Sequence, residues 1–75
     1  MDCLKLAIQE VENLNSDERF LVKDLFKGYE WNRLAIGDRR SLGALFLHEV
    51  KYGELKERIQ VGIKSSANQQ QYIKK

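Results

Sequence analysis

Arg39, Arg40, Ser41, Ala44 and Lys51 are the residues of this sequence whose types and spacing could do chemistry. At 100° per residue, Arg40, Ala44, Leu47 and Lys51 share one arc of a helix read over residues 38–51, with cations at both ends and a small side chain between them. An arginine fork reaches phosphate oxygens or guanine edges, and a small residue lets the backbone come close to what is bound. Arg39 and Arg40 stand at the N-terminal end, where free N–H groups and the helix dipole also favour an anion. A second cluster, Lys64, Ser65, Ser66, Asn68 and Gln69, lies in the polar stretch "KSSANQQ" and carries groups able to hydrogen-bond phosphate. The chemistry these two groups share is recognition of a polyanion.

No residue set suggests a reaction. His48 is the one histidine, and its neighbours at helical spacing (Ala44, Leu45, Lys51, Tyr52) supply no companion for a metal site. Cys3 is the one cysteine, which excludes an internal disulfide and a cysteine-based zinc site. A Ser–His–Asp set, a glycine-rich phosphate loop and a paired-carboxylate site are all missing. The sequence therefore predicts a non-enzymatic protein without cofactor, metal or small-molecule substrate. Trp31, Phe26, Phe46 and Tyr72 fall on apolar arcs and read as core residues rather than base-stacking platforms.

Positioning these residues is the task of a short chain. Its 75 residues make one domain over 1–75, near the lower size limit for folding without staples. With 43% hydrophobic and 32% charged residues it has the composition of a globular domain. Charge is unevenly spread: residues 1–30 hold seven acids and four bases, residues 31–75 four acids and nine bases. That gives an acidic front and a basic back. No apolar run approaches the ~18 residues of a membrane span, and "MDCLKLAIQEVENL" lacks the layout of a secretion signal, so the expectation is cytoplasmic.

Leu4, Ala7, Ile8, Val11 and Leu14 recur at helical spacing and predict an opening amphipathic helix, ended by Asn13, Asn15 and Ser16. Residues 16–27 admit two readings. One is a single helix capped at Ser16; the other, favoured here, is a short extended stretch in "RFLV" followed by a compact helix at "KDLF". A helix with Trp31, Leu34 and Ala35 inward is expected next, broken at Gly37. A second helix then starts with Asp38 as its cap, buries Leu42, Leu45, Phe46 and Val50, and closes at Gly53. Gly43, inside that helix, predicts a close crossing with the preceding helix. In "ERIQVGI" the period falls to 2, so Ile59, Val61 and Ile63 mark a half-buried strand, and "QYIKK" offers its return partner.

"FLVKDLF", "W..L..G.R..LG..F...V..G" and "SS..QQQY" together resemble a small bacterial family of unknown function, common in Gram-positive bacteria and their mobile elements. The resemblance spans roughly Phe20 to Tyr72. It implies no activity. The predicted order of helix, short strand, two helices and two strands also resembles winged-helix DNA-binding domains. The expected fold class is thus α+β: a small winged helix-turn-helix of three to four helices followed by a C-terminal β-hairpin wing. The expected function is binding of double-stranded DNA as a small transcriptional regulator, through the 38–51 helix and the 64–70 wing. A homodimer through the acidic first helix would widen the DNA contact. The alternative is a protein–protein interaction module on the same fold, which Leu47 on the outer arc and the modest net charge of +2 would suit.

Overall fold

A computed structural model describes residues 2–64 and 69–75 of the chain. Helix α1 (Asp2–Glu10) runs into a 3-10 turn (Val11–Asn13), and a two-residue strand β1 (Arg19–Phe20) is followed by a second 3-10 turn (Val22–Leu25). Helices α2 (Gly28–Asn32) and α3 (Ile36–Tyr52) come next, then strands β2 (Ile59–Lys64) and β3 (Gln70–Lys74). The strands form one antiparallel sheet in the order β1-β3-β2. The molecule is therefore an α+β domain, with helices packed on one three-stranded sheet among the described residues.

The extended reading of residues 19–20 and the compact turn after them both hold, and the backbone says why. Asp17 adopts φ 71°, a left-handed conformation that interrupts any helix starting at Ser16 and that aspartate tolerates better than most residues. Its N–H donates to the Lys74 carbonyl at 2.6 Å, and the Lys74 N–H donates to the Glu18 carbonyl at 2.9 Å. These bonds seat β1 as the outer strand beside β3, with Arg19 opposite Ile73 and Phe20 opposite Tyr72. In the turn that follows, the Asp24 carboxylate accepts the Leu21 N–H at 2.9 Å.

The core lies where α1 and α3 meet the sheet. Ala7 and Val11 of the first helical segment, Phe20, Val22 and Leu25, then Leu42, Phe46 and Val50 of α3, and finally Leu55, Ile59 and Tyr72 are buried. Its centre is aromatic. Phe46 meets Tyr72 edge-on at 5.0 Å between ring centroids and Phe20 edge-on at 6.3 Å, while Phe20 and Tyr72 lie 5.7 Å apart. Edge-to-face pairs of this kind add to what area burial alone contributes. Trp31 and Phe26, expected in the core, are half-buried and pack against each other at 5.9 Å on its margin.

Six expectations need correction. The break between the second and third helices falls at 33–35 and not at Gly37: Ala35 is extended (φ −65°, ψ 155°) and forms the N-cap of α3. Gly37 and Asp38 sit inside the first turn, where Asp38 favours the dipole without acting as a cap. Ala35 itself is exposed. Leu45 is 42% exposed, because the stripe that meets the core is as narrow as Leu42, Phe46 and Val50. Gly43 makes no close crossing, since a Cβ there would meet nothing within 4 Å. Finally, Ile63 is 69% exposed, because the β2–β3 register slips between Val61 and Lys64 and turns it out of the inward alternation.

Gly53 closes α3 as expected. Its N–H donates to the Glu49 carbonyl at 2.9 Å, and the Glu49 carboxylate folds over the helix end to accept the Glu54 N–H at 3.1 Å. A Cβ at position 53 would meet that carboxylate, so a larger residue there requires the Glu49 side chain to swing off the helix end.

Burial pushes the Tyr72 hydroxyl up from its ordinary 10 to about 12. The unfolded chain thus loses this proton at lower pH than the folded one. Stability from this group is complete below pH 10 and falls away as pH rises from 10 towards 12. Urea melts between pH 9 and 12 should show this loss, and Tyr72→Phe should reduce it. An identical pH dependence in the two proteins would contradict the assignment.

Candidate functional site

Helix α3 leaves the core with one flank beside the β2–β3 hairpin, and a half-open cleft of about 620 Å³ lies there. Its floor is apolar, with Leu21 and Val22 from the turn after β1, Trp31 from α2, Ile36 and Leu47 from α3 and Tyr72 from β3. Four cations line it: Lys23, Arg39, Arg40 and Lys64. No carboxylate does so among the described residues. Gly43 and Ala44 also line it, so α3 presents backbone and one methyl group between Arg40 and Leu47. Gln69 and Gln70 close the opposite end, where Gln70 Nε2 donates to the Gly62 carbonyl at 2.6 Å.

The structure brings together Arg39, Arg40, Ala44, Lys64 and Gln69 of the residues expected from sequence. Ser41 and Lys51 are exposed on α3 outside the cleft. Ser65, Ser66 and Asn68 lie outside the described residues. Among the contributors not singled out for a site on sequence grounds are Lys23, Ile36 and Gln70. Lys23 sits on a four-residue 3-10 turn whose orientation no periodicity announces. Ile36 belongs to the misplaced start of α3, and at 65% exposure it is an unusually open isoleucine.

The two arginines of α3 are not equivalent. Arg40 is exposed and points no side-chain bond at the protein among those described. Arg39 is half-buried: its guanidinium lies 5.6 Å from the Trp31 ring centroid, and one terminal nitrogen makes a long contact of 3.4 Å with the Asn32 carbonyl. Its Nε is buried and has no hydrogen-bond partner. Stacking on an aromatic face holds the guanidinium plane, which leaves its donors arranged but underused.

His48 is exposed with its ring 5.4 Å from that of Tyr52. Among the described residues no three His, Cys, Asp or Glu side chains gather as a metal site would require. No helix among them is long and apolar enough to cross a membrane.

Gly43 offers a direct test of the open wall. Glycine in mid-helix costs about 0.8–1 kcal/mol relative to alanine, and here an added methyl group meets no neighbour. Gly43→Ala should therefore raise stability by up to ~1 kcal/mol, read as a higher urea midpoint at unchanged slope. A destabilised variant would mean that α3 packs closely against something at this point.

The fold and its cleft define a small α+β domain with a basic cleft that, among the described residues, no carboxylate lines. The chain belongs to the family described as "Domain of unknown function (DUF1413)", which it matches over residues 5–74. No curated protein and no solved structure matches it significantly.

Proposed function

We propose that this chain is a winged helix-turn-helix domain that binds double-stranded DNA, acting as a small transcriptional regulator. The observation that carries the reading is the shared basic face: Arg40 on α3 and Lys64 at the end of β2 flank one cleft that no described carboxylate enters. Around this face the element order α1-β1-α2-α3-β2-β3 resembles the helix, short strand, two helices and two strands of winged-helix domains. In that arrangement α3 is the recognition helix. Arg40, Ser41, Ala44 and Lys51 meet the major groove, while Lys64 and Gln69 hold the neighbouring backbone.

The small residues Gly43 and Ala44 suit close approach at mid-helix, and Lys23 and Arg39 extend the positive field around the cleft. One domain of this size covers little DNA, so a homodimer is part of the proposal. Helix α1 suits the dimer contact, because it leaves Leu6 exposed and the N-terminal part of the chain is acidic.

Salt dependence tests the residue assignments. Removing one bond to phosphate should flatten the slope of log affinity against log salt by ~0.9, because one fewer counterion is released. Arg40→Ala and Lys64→Ala should each weaken binding to a random-sequence duplex and lower the slope by about that amount. Lys5→Ala on α1 should change neither. Equal responses from all three would mean that binding reads net charge and not this face.

A further inference from the structure

We propose that the cleft between α3 and the β2–β3 hairpin is a binding site for a small amphipathic organic anion, a carboxylate with an apolar body. A duplex lying across the rim would touch Arg40 and Lys64 but would leave the floor of Leu47, Trp31 and Ile36 facing water. That floor asks for an apolar occupant. The walls ask for a negative one, since Lys23, Arg39, Arg40 and Lys64 converge with no described carboxylate among them.

Arg39 joins the two requirements. Its side chain lines the cleft; the terminal nitrogen makes only a 3.4 Å contact and the buried Nε has no partner, so its hydrogen-bonding capacity is underused. A buried polar group left unpaired is uncommon and marks a place where an acceptor is expected. The Trp31 ring beneath the guanidinium fixes its plane. An inorganic anion would satisfy Arg39 but not the floor, and a neutral apolar molecule would satisfy the floor but not Arg39.

The space available agrees with such an occupant. The cleft's 620 Å³ falls within the ~300–1,000 Å³ typical of small-molecule sites, which are mostly apolar with a few placed polar groups. Gly43 opens it: a side chain at this position would project into space that nothing fills. A mid-helix glycine that serves no helix crossing is explained when its missing side chain makes room for a ligand. In this proposal the ligand acts as an effector. If the proposed DNA face also holds, ligand and duplex compete for Arg40 and Lys64; the site itself rests on the cleft alone.

The test uses octanoate as probe, octan-1-ol as its neutral counterpart, and no nucleic acid, so its outcome is separate from that of the DNA reading. Trp31 is the single tryptophan and lines the cleft, which makes its emission a local reporter. Octanoate should shift that emission saturably with a Kd on the order of 1 mM, and octan-1-ol should bind at least ~10-fold more weakly. Gly43→Leu, which fills the cleft without a clash at Cβ, should retain cooperative melting and lose octanoate binding. Arg39→Gln should erase the preference for the acid over the alcohol. Equal binding of acid and alcohol, full binding to folded Gly43→Leu, or no response at ~20 mM octanoate would each overturn the proposal.

Discussion

Phe46→Ala should leave the protein largely unfolded at room temperature. Phe46 is completely buried at the point where α3 crosses the sheet, and its ring is the one that touches both Phe20 and Tyr72 edge-on. Removing a buried phenylalanine costs about 3–5 kcal/mol through the forfeited transfer energy and the cavity left behind. Relaxation can fill little of that space, because Leu42 and Val50, one turn away on either side, are themselves buried and committed to the same layer. A single core in a chain this short rarely supplies more than ~3–5 kcal/mol in total. The expected loss is thus comparable with the whole stability. Far-UV circular dichroism and the absence of a cooperative melt would read it directly. Leu45→Ala, one residue away but 42% exposed, should melt within a few degrees of the unaltered protein. A cooperative Phe46→Ala protein beside an unfolded Leu45→Ala protein would mean that the other face of α3 is inside.

The second large effect concerns charge. Arg40→Glu combined with Lys64→Glu replaces two attractions for phosphate by two repulsions, on exposed side chains whose reversal leaves the core untouched. Unit charges at contact distance interact by about 1 kcal/mol even in bulk water, so the four changes together should weaken duplex binding by roughly 100-fold or more at ~50 mM salt. The Lys5→Glu control on α1 should stay within a few-fold of the unaltered protein. Weakening in the control as large as in the double variant would move the interface off α3 and the hairpin.

What the sequence made legible follows physical scale. Residues 59–61 announced a strand because period-2 alternation reports local burial, and Tyr72 paired opposite Val61 as that alternation requires. Ile63 escaped the same reasoning, since a register slip between Val61 and Lys64 is set by how the two strands meet and not by either one. Asp38 resembled a cap and drew the predicted start of α3 two residues too late. The true N-cap, Ala35, has no side chain able to signal it. Gly43 suggested a helix crossing because glycine in a helix demands an explanation, but the explanation is an opening, which only the tertiary structure reveals. The cleft was half legible. Arg39, Arg40 and Ala44 could be grouped on one helix and joined to Lys64 and Gln69, whereas Lys23 and Trp31 come from two other segments that only the fold brings to them.

The claim on which the functional account turns is that this face binds duplex DNA. The direct measurement is fluorescence anisotropy of a labelled random-sequence duplex titrated with the intact 75-residue chain at ~50 mM and ~200 mM salt. The account predicts saturable binding at the lower salt that weakens steeply at the higher, as the release of counterions from several phosphates requires. No measurable binding at ~50 mM salt, where electrostatic association is strongest, would contradict it.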